Sequence, residues 1–294
     1  MTAGVNGVDL EATGFWRLAI THKTVLTYPD TVTTSYNEVR IQPVDEPGQT
    51  VLSSRLDLDP YEGIQVYTDY FGTRVSAFDL HRPHRQLTFT ANTTVETFAR
   101  ALTAAPMSWA DLSGSECEDR FEEYLTETEL TTVNEELTTI AAELREGSDG
   151  PSAAGKAICD WVNRTLTYET GSTGIHTSAI EAYDDRRGVC QDFSHLAIGM
   201  LRSIGVPARY VSGYLHPEAA AEIGRTVTGE SHAWVEWFDG EWRRYDPTHA
   251  APITLGHVVA GRGRDYRDTP PVRGVYAGPE AIGNDVVVQV TRLR

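Results

Sequence analysis

Residues 188–215 read GVCQDFSHLAIGMLRSIGVPARYVSGYL, residues 231–242 read SHAWVEWFDGEW, and residues 245–249 read YDPTH. The first stretch is a helix followed by a strand. Phe193, Leu196, Ala197, Met200, Leu201 and Ile204 cover most of the helix circumference, which predicts a deeply buried helix, and Gly205 and Pro207 stop it. The other two stretches are strands, with Asp239-Gly240 marking the hairpin between them. Cys190 falls on the first turn of the buried helix. There it meets the positive end of the helix dipole and unpaired backbone N–H groups, a setting that favours the reactive thiolate. Gly188 just before it would allow close approach of substrate and backbone, and Asp192 is placed to satisfy N-terminal amides.

His232 opens one strand of the hairpin and Asp246 closes the other. A histidine beside a cysteine can accept its proton, and an acid on the other ring nitrogen fixes the tautomer and stabilises the imidazolium. Each residue alone has a plainer reading: a core thiol, a hydrogen-bonded histidine, a turn-forming aspartate. Together, in these contexts, they point to nucleophilic catalysis. The reading sets a condition on the hairpin. A two-residue turn would pair Phe238 with Glu241 and put His232 and Asp246 on opposite faces of the sheet, because side chains alternate. A three-residue loop, Asp239-Gly240-Glu241, pairs Phe238 with Trp242 and puts both on one face. That one-residue offset, in the loop or from a bulge, is therefore predicted, with His232 between Cys190 and Asp246 and each contact within about 4 Å.

Outward from this centre the pattern changes twice. Residues 15–98 hold short runs rich in Val, Thr, Tyr and Phe, broken by Pro, Gly and Asp, which predict strands, with Gly72 turning a hairpin in DYFGTR. From about Pro106 the period becomes helical. Val133, Leu137, Ile140 and Leu144 form one stripe with Glu135, Glu136 and Glu143 off it, and a second helix opens near Pro151. Helices followed by strands to the C-terminus make an α+β arrangement.

The three ordered motifs resemble those of the transglutaminase-like superfamily over about residues 150–250. The β-rich start, with SYNEVRIQP, DYFGTRVSAFD and HRPH, is similar to the N-terminal domain of bacterial and archaeal members. The resemblance implies an α+β fold: a papain-like transglutaminase core, with its helix-borne cysteine packed on an antiparallel sheet, preceded by an all-β N-terminal domain. The expected division is a flexible N-terminus over residues 1–14, a β-rich domain over 15–105 and a catalytic domain over 106–294. It also implies roles, with Cys190 as nucleophile, His232 as base and then acid, and Asp246 as orienter. The expected chemistry is a thioester formed from an amide of a protein or peptide substrate and passed to water or an amine. The alternative is a non-catalytic binding or scaffold protein that kept the fold. One departure stands out: the family pattern usually ends DPTN, whereas here His249 follows Thr248. His176, Tyr214 and Trp234 are expected to line the substrate site, and His195, His216 and His257 are read as ordinary histidines.

A net charge of −17 argues against a nucleic-acid partner, since a phosphate backbone needs a basic surface. With only two lysines, Lys23 and Lys156, the acidic surface reads either as that of a protein adapted to high salt or as that of an ordinary acidic enzyme. Three cysteines without a CxxC pair suggest neither a disulfide framework nor structural zinc. Cys159 reads as core and Cys117 as an ordinary helix residue. Cys190, His232 and Asp246 are ligating types without tight spacing, so no metal or cofactor is expected. No run approaches the roughly 18 apolar residues of a membrane span, and the first residues lack a secretory pattern. No membrane association is expected, and the location is read as cytoplasmic.

Overall fold

A computed structural model of the chain describes residues 14–218 and 220–294. Nearly all of the stretch expected to be a flexible N-terminus, residues 1–13, lies outside them. The chain begins with six strands: β1 (Phe15–Val32), β2 (Thr34–Val39), β3 (Gln49–Asp59), β4 (Gln65–Thr68), β5 (Arg74–Leu80) and β6 (His84–Phe98). The helical section holds α1 (Trp109–Leu112), α2 (Ser115–Leu125), α3 (Glu135–Glu146) and α4 (Pro151–Thr165). After it come β7 (Thr167–Tyr168), α5 (Ala179–Asp185), β8 (Arg187–Gly188) and α6 (Cys190–Ser203). The chain ends in β9 (Ala208–Leu215), β10 (Thr226–Phe238), β11 (Trp242–Asp246), β12 (Ala251–Pro252), β13 (His257–Gly263), β14 (Val272–Ala277) and β15 (Gly283–Arg292). The architecture is α+β, as expected.

Local chemistry accounts for the helix ends. Asn134 caps α3 by accepting from the Leu137 N–H at 2.9 Å. Pro151 opens α4, where its missing N–H costs nothing. Ser178 and Glu181 cap α5 reciprocally. Every residue of α6 from Gln191 to Arg202 is buried, as its all-round apolar pattern predicts. Phe193, Leu196, Ile198 and Leu201 are among its core side chains, and full burial stabilises each by about 1.5–3 kcal/mol. The helix packs on β10, so the residue at its start is held against the sheet.

The sheets do not follow the order of the chain. One path runs β12-β11-β10-β15-β1-β6-β3, with β9 paired to both β10 and β13; a second sheet runs β14-β2-β5-β4. β10 is the bridge. Its first residues, Thr226–Gly229, pair with β15, and the stretch from Glu230 to Trp237 pairs with β9. β15 in turn pairs with β1 over ten residues. An internal charge cluster marks where β13 meets the N-terminal strands. Glu236 of β10 is fully buried and accepts from Arg209 at 2.7 Å and Arg262 at 2.9 Å, with Arg244 3.1 Å away; Arg262 and Arg244 also reach Glu46 in the loop before β3. Burial alone would raise the Glu236 pKa, but the guanidinium groups hold it well below the carboxylate range.

Candidate active site

The hairpin has the required offset. Phe238 pairs with Trp242 and Val235 with Tyr245. The loop between them is Asp239-Gly240-Glu241, with Gly240 at φ +79 and the Asp239 N–H donating to the Glu241 carbonyl at 3.0 Å. His232 and Asp246 consequently share a face, and His232 Nε2 lies 2.7 Å from Asp246 Oδ2. Both side chains are buried.

Asp246 is held from both of its oxygens. Oδ1 accepts from the backbone N–H groups of Thr248 at 2.8 Å and His249 at 3.3 Å, a turn that Pro247 favours. Oδ2 faces three imidazoles: His232 Nε2, His249 Nδ1 at 2.7 Å and His257 Nε2 at 3.4 Å. His257 Nδ1 accepts from the Thr254 N–H at 3.1 Å, which puts its proton on Nε2, toward Asp246. Burial acts to raise the Asp246 pKa, but the hydrogen bonds from His232, His249 and His257 outweigh it and hold the carboxyl far below its usual range. Burial acts to lower the His232 pKa; hydrogen bonds to Asp246 and to the Cys190 side chain reverse this and raise it to about 10. With Nε2 engaged by Asp246, Nδ1 is the nitrogen left to meet the thiol.

Cys190 is the first residue of α6 and is partly exposed. The segment before it is fixed by a short parallel pairing of β8 with β7, with Glu169 N–H donating to Gly188 O at 3.0 Å. Asp192 Oδ2 accepts from the Val189 N–H at 2.7 Å and from Thr173 Oγ1 at 2.6 Å, so it caps the helix and ties down the loop after β7. Gly188 has a different reason from the expected one. A Cβ there would lie 2.6 Å from the Asp192 Cβ, so the space it leaves open holds this capping side chain.

The expected site-lining residues fare differently. Tyr214 is buried and its hydroxyl donates to Ile41 O, with His22 Nδ1 2.9 Å away, so it joins β9 to the N-terminal strands. Gly213 pairs with His232, and by strand alternation Tyr214 points to the other face. Trp234 has no exposed surface; it packs beside His232 and edge-on to His257, at centroid distances of 6.2 and 5.3 Å. It packs against the histidines from the core side. His176 is exposed, in the loop whose Thr173 and Gly174 bond to Asp192 and Gln191 of α6. Cys159 is a fully buried core residue, and Cys117 is buried on α2. His195 is also buried, accepting from the Tyr266 N–H at 3.1 Å.

His249 and His257 are the residues that sequence reasoning missed. The signal for His249 lay in the departure at DPTH, because an Asp-Pro turn brings the third residue's backbone back to the carboxylate. His257 had no local signal. Its position follows from pairing with Leu215 across β9–β13.

Comparison with known proteins agrees with this architecture. The profile of the transglutaminase-like superfamily matches residues 138–247, and that of the bacterial transglutaminase-like N-terminal region matches residues 18–96. An uncharacterized protein of Mycobacterium leprae is 41% identical over 278 residues, 95% of this chain and 99% of its own length. The solved structure of a candidate cysteine protease from Cytophaga hutchinsonii superposes with a TM-score of 0.75 at 21% identity, covering 96% of this chain and 92% of that one. A protein-glutamine gamma-glutamyltransferase of Pseudomonas aeruginosa is 30% identical over 149 residues, 47% of this chain and 22% of its own. The chain belongs to the transglutaminase-like superfamily. Within it, the chain carries the bacterial type of N-terminal β region ahead of the core. Among the described residues no helix is long and apolar enough to cross a membrane.

Proposed function

We propose that this chain is a transglutaminase-like cysteine enzyme that acts on amide bonds of proteins or peptides through a thioester. The observation that carries the reading is the 2.7 Å hydrogen bond between His232 and Asp246, with Cys190 at a helix start among the groups that raise the His232 pKa. His232 takes the thiol proton, and the sulfur attacks the amide carbonyl carbon. The oxyanion that forms meets the first-turn amides of α6, the Cys190 N–H among them. His232 then gives the proton to the leaving nitrogen as the C–N bond breaks, which leaves a thioester on Cys190. Water, or an amine, attacks the thioester; His232 takes its proton and returns it to the sulfur. Asp246 keeps the imidazole oriented and stabilises its charged form throughout. His176, exposed on the loop beside the start of α6, is assigned to the substrate approach.

Hydrolysis is the favoured outcome, since water is always present and amine transfer needs shielding of the thioester. The relative named as a glutamyltransferase keeps transfer to an amine within the same proposal. The three unpaired cysteines fit a cytoplasmic location. Incubation with a peptide library and a primary amine, read by mass spectrometry, tests the reading. Cleavage, deamidation or amine incorporation is expected from the natural chain, with almost none from Cys190→Ser. Equal conversion by the variant would defeat the assignment. No conversion, together with a Cys190 no more reactive toward thiol reagents than a free thiol, would favour the non-catalytic scaffold.

A further inference from the structure

Asp246 is more crowded than a partner for one histidine needs to be. His232 Nε2, His249 Nδ1 and the Asp246 carboxylate lie within 4.8 Å of one another. The carboxylate also borders a cavity of about 150 Å³ whose walls include His216, His249 and His257. His216 is buried. Its Nδ1 accepts from the Glu218 N–H at 3.2 Å, while its Nε2 has no hydrogen-bond partner among the described residues. A buried imidazole N–H left without a partner is costly and points to an acceptor that the structure does not contain. His249 is an exposed part of the wall, with a side chain 55% exposed, so the carboxylate is reached past a group held by one hydrogen bond.

Two imidazole nitrogens and a carboxylate oxygen are the donor set of a borderline-soft divalent ion. Calcium and magnesium prefer oxygen ligands throughout. Ligands at about 2.0–2.2 Å from a tetrahedral ion stand roughly 3.3–3.5 Å apart. The two nitrogens now lie 2.7 Å from Asp246 Oδ2, so a swing of His249 and a sub-ångström shift of the carboxylate would open that space. The fourth position would be left for a water, as in other sites with three protein ligands.

We propose that the Asp246 cavity is a binding site for a zinc-class divalent ion, held by His249 Nδ1, Asp246 and His232 Nε2. Binding displaces the imidazole protons to solvent and replaces the His232–Asp246 hydrogen bond with two bonds to the ion. The ion therefore competes with the arrangement that orients His232, from the side of the ring opposite Cys190. The binding site stands on geometry alone; the consequence, reversible inhibition of turnover, rests on the function proposed above.

Cobalt(II) titration of the full chain carrying Cys190→Ser tests binding without any need for activity. The expected result is one cobalt per chain, with the visible absorption of a tetrahedral N/O site and no sulfur charge-transfer band, displaced by zinc. His249→Asn and Asp246→Asn in the same background should each weaken binding by more than about 100-fold, beyond the 10–100-fold typical of groups that only orient a ligand. Circular dichroism checks that the variants fold, and the exposed position of His249 leaves its variant folded. A sulfur charge-transfer band, or affinity unchanged by His249→Asn, would overturn the site. On the turnover arm, zinc inhibition should be reversed by chelator and be lost in His249→Asn. Inhibition that persists in that variant would overturn the inhibitory role and leave the binding result intact.

Discussion

Replacing Asp246 by Asn keeps the shape of the side chain and removes its charge from beneath His232. In the natural chain the His232 pKa is raised from an ordinary 6.5 to about 10, and that of Asp246 is held below an ordinary 3.8. At roughly 1.4 kcal/mol per pH unit, the histidine shift corresponds to about 5 kcal/mol, to which the Cys190 side chain contributes along with Asp246. Asn still accepts a hydrogen bond, so a loss of about 3 kcal/mol is expected, at the lower end for a broken buried pair. The pH dependence is the sharper test. A group whose pKa rises on folding contributes fully below its unfolded value and loses that contribution as pH climbs through the folded one. A group whose pKa falls on folding contributes above its unfolded value and loses that contribution in acid. The stability gap between the natural chain and Asp246→Asn should therefore be widest between about pH 4 and 6.5, shrink steadily up to about pH 10, and shrink again in acid. Urea unfolding at pH 5.5, 7.5 and 9.5 measures it. A gap that stays constant from pH 5.5 to 9.5 would show that His232 does not gain its charge from Asp246. In turnover the variant should lose on the order of 10⁴-fold, as expected when the wrong tautomer is presented to the nucleophile.

Three further outcomes test the frame around the site. Gly213→Ala would put a Cβ 2.0 Å from the Val258 carbonyl oxygen and 2.8 Å from Trp234; because backbone cannot swing aside, about 3 kcal/mol should be lost in urea unfolding, and a loss under 0.5 kcal/mol would contradict the packing. Arg262→Met leaves Glu236 with Arg209 and Arg244, so the cost should be about 2 kcal/mol, below the 3–5 kcal/mol of a wholly orphaned buried charge. A net charge of −17 predicts a melting temperature that climbs between low and molar salt as repulsion is screened, and a flat or falling profile would leave the plainer reading of an ordinary acidic enzyme.

What could be read from the sequence was whatever short-range geometry constrains. The burial of α6 follows from apolar residues around its whole circumference, and its endpoints from Gly205 and Pro207. The offset in the β10–β11 hairpin was deducible because strand alternation requires an odd loop or a bulge to bring His232 and Asp246 to one face. Long-range pairing was not legible. DVVVQVTRL shows that it is a strand, but nothing in it says that it lies between β10 and β1, across most of the chain. The surroundings of Tyr214 were hidden in the same way. Its neighbour Gly213 pairs with His232, yet a strand's two faces serve different partners, and the face that Tyr214 takes looks toward Ile41. His257 was unreadable for the same reason, being brought to Asp246 by a strand pairing and not by spacing.

That last residue also connects the N-terminal strands to the chemistry. His257 lies at the start of β13, and the segment carrying it is gripped from the N-terminal side. Gln49 donates from Nε2 to Val259 O at 2.9 Å and accepts at Oε1 from the Val259 N–H at 2.8 Å, matching that residue's backbone as a strand would. Thr97 donates to Leu255 O at 2.6 Å, and Arg262 joins Glu46 to the buried Glu236. Buried amide and charge-assisted bonds of this kind tolerate little displacement, since each partner left alone costs about 1–3 kcal/mol. The position of His257, and through it one of the hydrogen bonds on Asp246, is therefore set by residues 46–97 as well as by the core. The β region thus helps to fix His257, and with it one of the hydrogen bonds on Asp246.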